Sequence, residues 1–177
     1  MRRIAIVIIA ASFLVSTLAL FAAPSAQAED LTPDQVDRVK ANCVSIKTSI
    51  NQLHASDALL RVNRGQVYES MASKLMDNFN GRLAGNRLDN KAMTAVTTNY
   101  RLALASFRNN YISYEQKLSE AIRIDCVAQP NTFYSTLQEA RELRQKVHGD
   151  VNRLHRLIDD YRSSVSGFLV NYERLSE

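Results

Sequence analysis

PDQVDRVKANCVSIKTSINQLHASDALLRVNRGQVYESMASKLMDNFNGRL, residues 33–83, decides the fold. Its apolar side chains fall at Val36, Val39, Cys43, Ile46, Ile50, Leu53, Leu60, Val67, Met71, Leu75, Phe79 and Leu83. Those steps of three, four and seven set them on one face of an α-helix. A helix of that length spans about 75 Å at 1.5 Å per residue. A chain of 177 residues cannot bury such a rod on all sides, so it must lie in an elongated bundle. Thr32 is a good N-cap, Pro33 suits the first helical position and Gln35 completes a capping box. Gly65 marks a kink, a close helix approach or simply a tolerated mid-helix glycine, and the last is the expectation. Gly85 and Asn86 are the residues that best accept the left-handed conformation ending a helix.

Two further helices follow, with Asp89 or Asn90 as cap of the first. Helix two is expected over about 90–127, with Met93, Val96, Tyr100, Leu104, Phe107, Tyr111, Leu118 and Ile122 on its seam. Pro130 places the second turn, because proline disfavours helix in the residue before it. Helix three is expected over about 132–175, on a seam from Phe133 through Ala140, Leu154 and Tyr161 to Leu175. From Val151 on, its steps are mostly the three-four alternation of coiled coils. There is no sustained period-two alternation and no hairpin dipeptide. Three long helices joined by short turns must be antiparallel neighbours. The fold class is therefore all-α: an elongated antiparallel three-helix bundle with coiled-coil-like packing, one domain over residues 29–177.

Residues 1–28 read as a signal peptide preceding that bundle. Met1-Arg2-Arg3 is basic, Ile4 to Ala23 is uncharged and mostly apolar, and Ala26-Gln27-Ala28 is a small-x-small cleavage pattern. The apolar run is long enough to span a bilayer, so membrane attachment is expected only if this segment is left uncleaved. The expected location is beyond the cytoplasmic membrane: periplasm, cell surface or extracellular space. Cleavage after residue 28 leaves 149 of 177 residues, and 20 basic residues (22 minus 2) against 18 acidic ones. A balance of +2 gives no case for a nucleic-acid partner.

Cys43 and Cys126 are the two cysteines, and in an oxidising compartment an even pair predicts a disulfide. The hairpin supports it. Counted from Gly85, Cys43 lies 42 residues back (85 − 43) and Cys126 lies 41 residues on (126 − 85), so the two come level. The same register pairs Ile46 with Ile122, Ile50 with Leu118, Leu60 with Phe107, Met71 with Val96 and Leu75 with Met93.

Two polar stripes interrupt the seams. His54, Asp57, Arg61, Arg64 and Tyr68, spaced three and four apart, form one on helix one. As a site it would take an anion or a peptide, with the arginines as donors and Asp57 orienting His54. As a plain face it would hold pairs such as Asp57–Arg61. Asp57 and Arg64 fall at core positions of the heptad, where a buried polar layer fixes register. His148, Asn152, His155 and Asp159 form the second stripe, on helix three, and His148, His155 and Asp159 are its candidate metal ligands. Bundle metal sites use paired Glu and Glu-x-x-His motifs, which are absent here, so no metal or other cofactor is expected.

No nucleophile elbow and no phosphate loop occurs, and the chain reads as non-enzymatic. The expected function is an exported structural or protein-interaction component of the bacterial cell envelope, with chaperone-like binding as one form of it and a protein partner or self-association. The alternative is a ligand- or metal-binding bundle that uses one of the two stripes.

Overall fold

The computed structural model describes residues 31–176. The signal-peptide reading of residues 1–28 lies outside them. The described chain is an all-α antiparallel bundle: α1 (Pro33–Ala41), α2 (Cys43–Ser70), a π-helical stretch (Met71–Met76), α3 (Asp77–Gly85), α4 (Lys91–Arg123) and α5 (Pro130–Ser176). The first rod, expected as one helix, is thus three α segments and a π turn. Asn42 departs from helical geometry at φ −102°, ψ 9°. Gly65 lies inside unbroken α2 with nothing within 4 Å of where a Cβ would stand, so no close approach requires it.

The caps follow from local chemistry. Thr32 and Gln35 form the capping box, each side chain bonding the other's backbone N–H. At the end of α3 the left-handed residue is neither Gly85 nor Asn86 but Arg87, at φ 59°. The Arg87 N–H bonds the Ala84 carbonyl at 3.0 Å and the Leu88 N–H bonds that of Leu83 at 2.9 Å. With Leu88 packed on the core that holds Leu83, this is a Schellman stop. Asp89 accepts the Lys91 N–H at 3.1 Å at the start of α4. α4 ends four residues before the expected boundary. Ile124 is extended (ψ 134°), and the Asp125 carboxylate accepts the Val127 and Ala128 N–H groups. Pro130 opens α5 as its first residue, a position suited to a ring that lacks an N–H.

α4 is the central rod. It is buried at Met93, Tyr100, Leu104, Phe107, Tyr111, Tyr114 and Leu118, and it packs most closely against α5. The core falls into two blocks. One gathers Tyr68, Met76, Leu83, Met93, Tyr100, Leu154 and Tyr161. The other gathers Cys43, Ile50, Tyr114, Leu118, Cys126, Phe133 and Ala140 around a disulfide. That bridge joins Cys43 to Cys126, with the Cα atoms 5.7 Å apart.

Part of the seam expected on the first rod does not reach the core. Leu60, Val67 and Leu75 are 47%, 57% and 49% exposed; beside the last two the buried face is carried one residue on, by Tyr68 and Met76. The single register expected for the hairpin holds at the cysteines. Near the turn a side-chain contact departs from it by eight residues (97 − 89), about two helical turns. There Asn80 donates to Thr97 Oγ1 at 2.9 Å, where a constant register would set it against Asp89. The π stretch lies between, and the extra residue a π turn carries contributes to the slip.

Candidate functional site

Between the two core blocks, where α2 leaves α5, a cleft of about 580 Å³ opens with α4 as its floor. Tyr68, Phe107, Tyr111 and Tyr114 supply aromatic surface, and Leu60, Val147 and Val151 supply aliphatic surface. Arg61 and Arg64 of α2 face it with Arg141, Arg144 and His148 of α5, and Asp57 is the one carboxylate among its lining residues. Four of the five residues in the helix-one stripe therefore line one cavity.

Asp57 is the polar hinge of the site. Its side chain is 12% exposed, against 52% for that of Arg144. Arg144 binds it through two nitrogens, at 2.9 and 3.3 Å, and the buried Tyr114 hydroxyl donates to it at 2.7 Å. One carboxylate thereby ties α2 to both α4 and α5. The bond to Asp57 raises the Arg144 pKa above the ordinary guanidinium range. Burial first, and the Asp57 contact second, push the Tyr114 hydroxyl well above its usual value.

The rest of the stripe is placed otherwise than expected. Asp57 neither orients His54 nor pairs with Arg61. His54 turns to the α2–α4 seam, where its Nε2 meets Glu115, with Ser119 Oγ at 3.3 Å. Serine and carboxylate share one ring nitrogen, so these residues do not form a proton relay, which needs one partner on each nitrogen. The Arg61 guanidinium lies over the Tyr111 ring, 5.0 Å from its centroid. Tyr111 is pushed up to about 12 by burial and by Glu115, with Arg61 acting in the opposite sense. Tyr68 is buried, its hydroxyl hydrogen-bonded with His155 Nε2 at 3.0 Å, and it stands edge-on to Phe107. Arg64 is exposed and makes no hydrogen bond or ion pair among the described residues, so the expected Asp57–Arg64 core layer is carried by Asp57 alone. The layers that do cross the bundle are others. Tyr161 donates to Asn80 (2.9 Å), which donates to Thr97. Buried Asp150 accepts from Ser106 (2.9 Å) and Asn110 (2.6 Å).

The helix-three stripe does not converge. His148 lines the cleft and contacts Asn152, His155 faces Tyr68, and Asp159 lies in a separate surface depression with Arg153 and Arg156. Among the described residues no group of three or more His, Cys, Asp or Glu is arranged to hold a metal ion.

On the α5 side of the cleft, sequence reasoning singled out His148 but missed Arg141 and Arg144. Arg141, Arg144 and His148 are spaced three and four apart beside the seam, the same signal that marked the α2 stripe. Tyr114 is both a core residue and the donor to Asp57.

No family model matches the chain, no curated protein matches it, and no solved structure matches it. Among the described residues no helix is long and apolar enough to cross a membrane.

Proposed function

We propose that this is an exported, non-enzymatic binding protein and that its ligand is an anion with an apolar body, held in the α2–α4–α5 cleft. One observation carries the reading. Four arginines line the cleft against a single carboxylate, and that carboxylate is engaged by Arg144 and Tyr114. Arg61, Arg64 and Arg141 are left without a carboxylate partner among the described residues. Guanidinium groups gathered over an aromatic floor favour an anionic group that carries apolar surface, because charge and desolvated contact then act together. The buried disulfide is what an oxidising compartment allows, and it supports a site of action outside the cytoplasm.

The test is a fluorescence titration with anilinonaphthalene sulfonate, an anion with an aromatic body. The expected result is one saturable site that is weakened at least tenfold by Arg61→Gln combined with Arg64→Gln, with thermal unfolding little changed. Absence of saturable binding, or equal binding by the double variant, refutes the reading.

A further inference from the structure

A second cavity, of about 320 Å³, adjoins the cleft on the side of the disulfide. It is lined chiefly by Ile46, Ile50, Leu53, Leu118, Leu137 and Ala140, with no carboxylate among its lining residues. Tyr114, Arg141 and Arg144 line both cavities. The two chambers are therefore halves of one groove between α2 and α5 over α4. Along α2 that groove runs from Ser45 to Tyr68, about 35 Å at 1.5 Å per residue. One half is apolar, the other is basic and aromatic, and two arginines stand where they meet.

We infer that the ligand is an anionic amphiphile with a single unbranched apolar chain. Its head lies on the arginines of the larger chamber, and its tail lies in the smaller one. The inference rests on the anion-binding reading of the cleft and adds the tail. Charge complementarity sets the head, since the cleft's lining arginines outnumber its one carboxylate. The width of the groove sets the tail. Arg144 on α5 reaches Asp57 on α2 across it at 2.9 Å. That bond bridges the rods: an α-helix with its side chains, about 10–12 Å across, could enter only by breaking it, whereas a single methylene chain can lie in the chamber of about 320 Å³ beside it. A slender chain thus fits between the rods where a partner helix does not.

Displacement of the bound sulfonate probe by three ligands tests the inference: laurate, butyrate (same head, short tail) and dodecyl maltoside (same tail, no charge), all below micelle-forming concentrations. Burying a methylene strengthens binding about fourfold, so laurate should displace the probe at least about a hundredfold more effectively than butyrate. Laurate should also exceed the uncharged ligand at least tenfold. Leu53→Gln should shrink the laurate-to-butyrate ratio at least tenfold without abolishing butyrate binding, and its melting curve shows whether the fold is intact. Arg64→Gln, at an exposed position, should weaken laurate and butyrate in the same proportion. Equal potency of butyrate and laurate, or an unchanged ratio in Leu53→Gln, overturns the amphiphile while arginine-dependent probe binding still upholds the anion site. Equal potency of the uncharged ligand overturns both.

Discussion

Separating the two partners of the Asp57–Arg144 bond tests whether it ties the bundle together or is merely a surface contact. The partners differ in burial: 12% exposure for the Asp57 side chain, 52% for that of Arg144. Asp57→Asn keeps the shape and an acceptor for the Tyr114 hydroxyl, and it leaves behind a guanidinium that is half in water. The loss is then mainly one charge-assisted hydrogen bond, about 1–2 kcal/mol. Arg144→Met leaves a carboxylate that is nearly buried, with Tyr114 as its only remaining donor. Stranding one member of a fully buried pair costs about 3–5 kcal/mol, and the exposure of Arg144 reduces this to about 2–4. The arginine substitution should therefore be the more harmful, and the double variant should lose less than the two single losses added, by about 1–2 kcal/mol. Urea unfolding reads this directly. With a slope of about 2 kcal/mol/M, the Arg144→Met midpoint should fall by about 1–2 M at unchanged slope. Arg64→Gln is the control and should lie within about 0.5 kcal/mol of the parent. Equal, additive losses at Asp57 and Arg144, or losses no larger than that of Arg64→Gln, would show the pair to be screened by solvent and the reasoning wrong.

Reduction of Cys43–Cys126 reopens a loop with a sequence separation of 83. In the chain-entropy model that removes about 4.5 kcal/mol, expected as a fall in melting temperature of roughly 10–18 °C. Thiol counting before and after reductant confirms the state, and an unmoved melt with two free thiols would count against it. Arg87→Gly should stabilise by about 1 kcal/mol, since it relieves the left-handed backbone of a residue that carries a Cβ. Gly65→Ala should stabilise by a similar amount for the opposite reason, helix propensity with open space for the methyl; calorimetry of both variants decides. Burial raises Tyr100, Tyr111, Tyr114 and Tyr161 above the ordinary 10.0, Tyr111 to about 12. A raised folded-state value means stability that is full below pH 10 and lost as pH rises through the folded values. Tyrosinate absorbance and helical circular dichroism should then change together above pH 10, and ionisation of these rings near pH 10 with the helices intact would be the contrary result.

The rods and the cysteine pairing were legible because both rest on spacing. Heptad steps recur over dozens of residues, and equal distance from a turn brings Cys43 level with Cys126 whatever the turn's details. Their ends were less legible. Asp125 stops α4 through a side-chain bond to the Val127 and Ala128 N–H groups, and a Schellman turn falls on Arg87, which has no propensity for it. The helix-one stripe could be read as a stripe, because Asp57, Arg61, Arg64 and Tyr68 share one face. Its partners could not, because which residues of α5 stand opposite depends on the register and tilt of a rod 80 or more residues away. Asp57 pairs with Arg144, not with Arg61 one turn off, and nothing in the local pattern distinguishes the two.

The cleft exists because the first rod is polar where a closed bundle would be apolar. Around Asp57, Arg61 and Arg64 the seam of α2 offers charged side chains toward α5, and burying unpaired guanidinium groups there would cost several kcal/mol each. The rod answers by standing off, which leaves Leu60 half in water. It does not peel away, because it is held at both ends. The Cys43–Cys126 bridge fixes it to the end of α4, and the Tyr161–Asn80–Thr97 chain fixes it to α5 and α4 near the turn. Asp57, between these two anchors, limits how far the gap can widen. A rod pinned at its ends and repelled at its middle holds a groove open. The same arginines that prevent closure are the groups a proposed anionic ligand would meet.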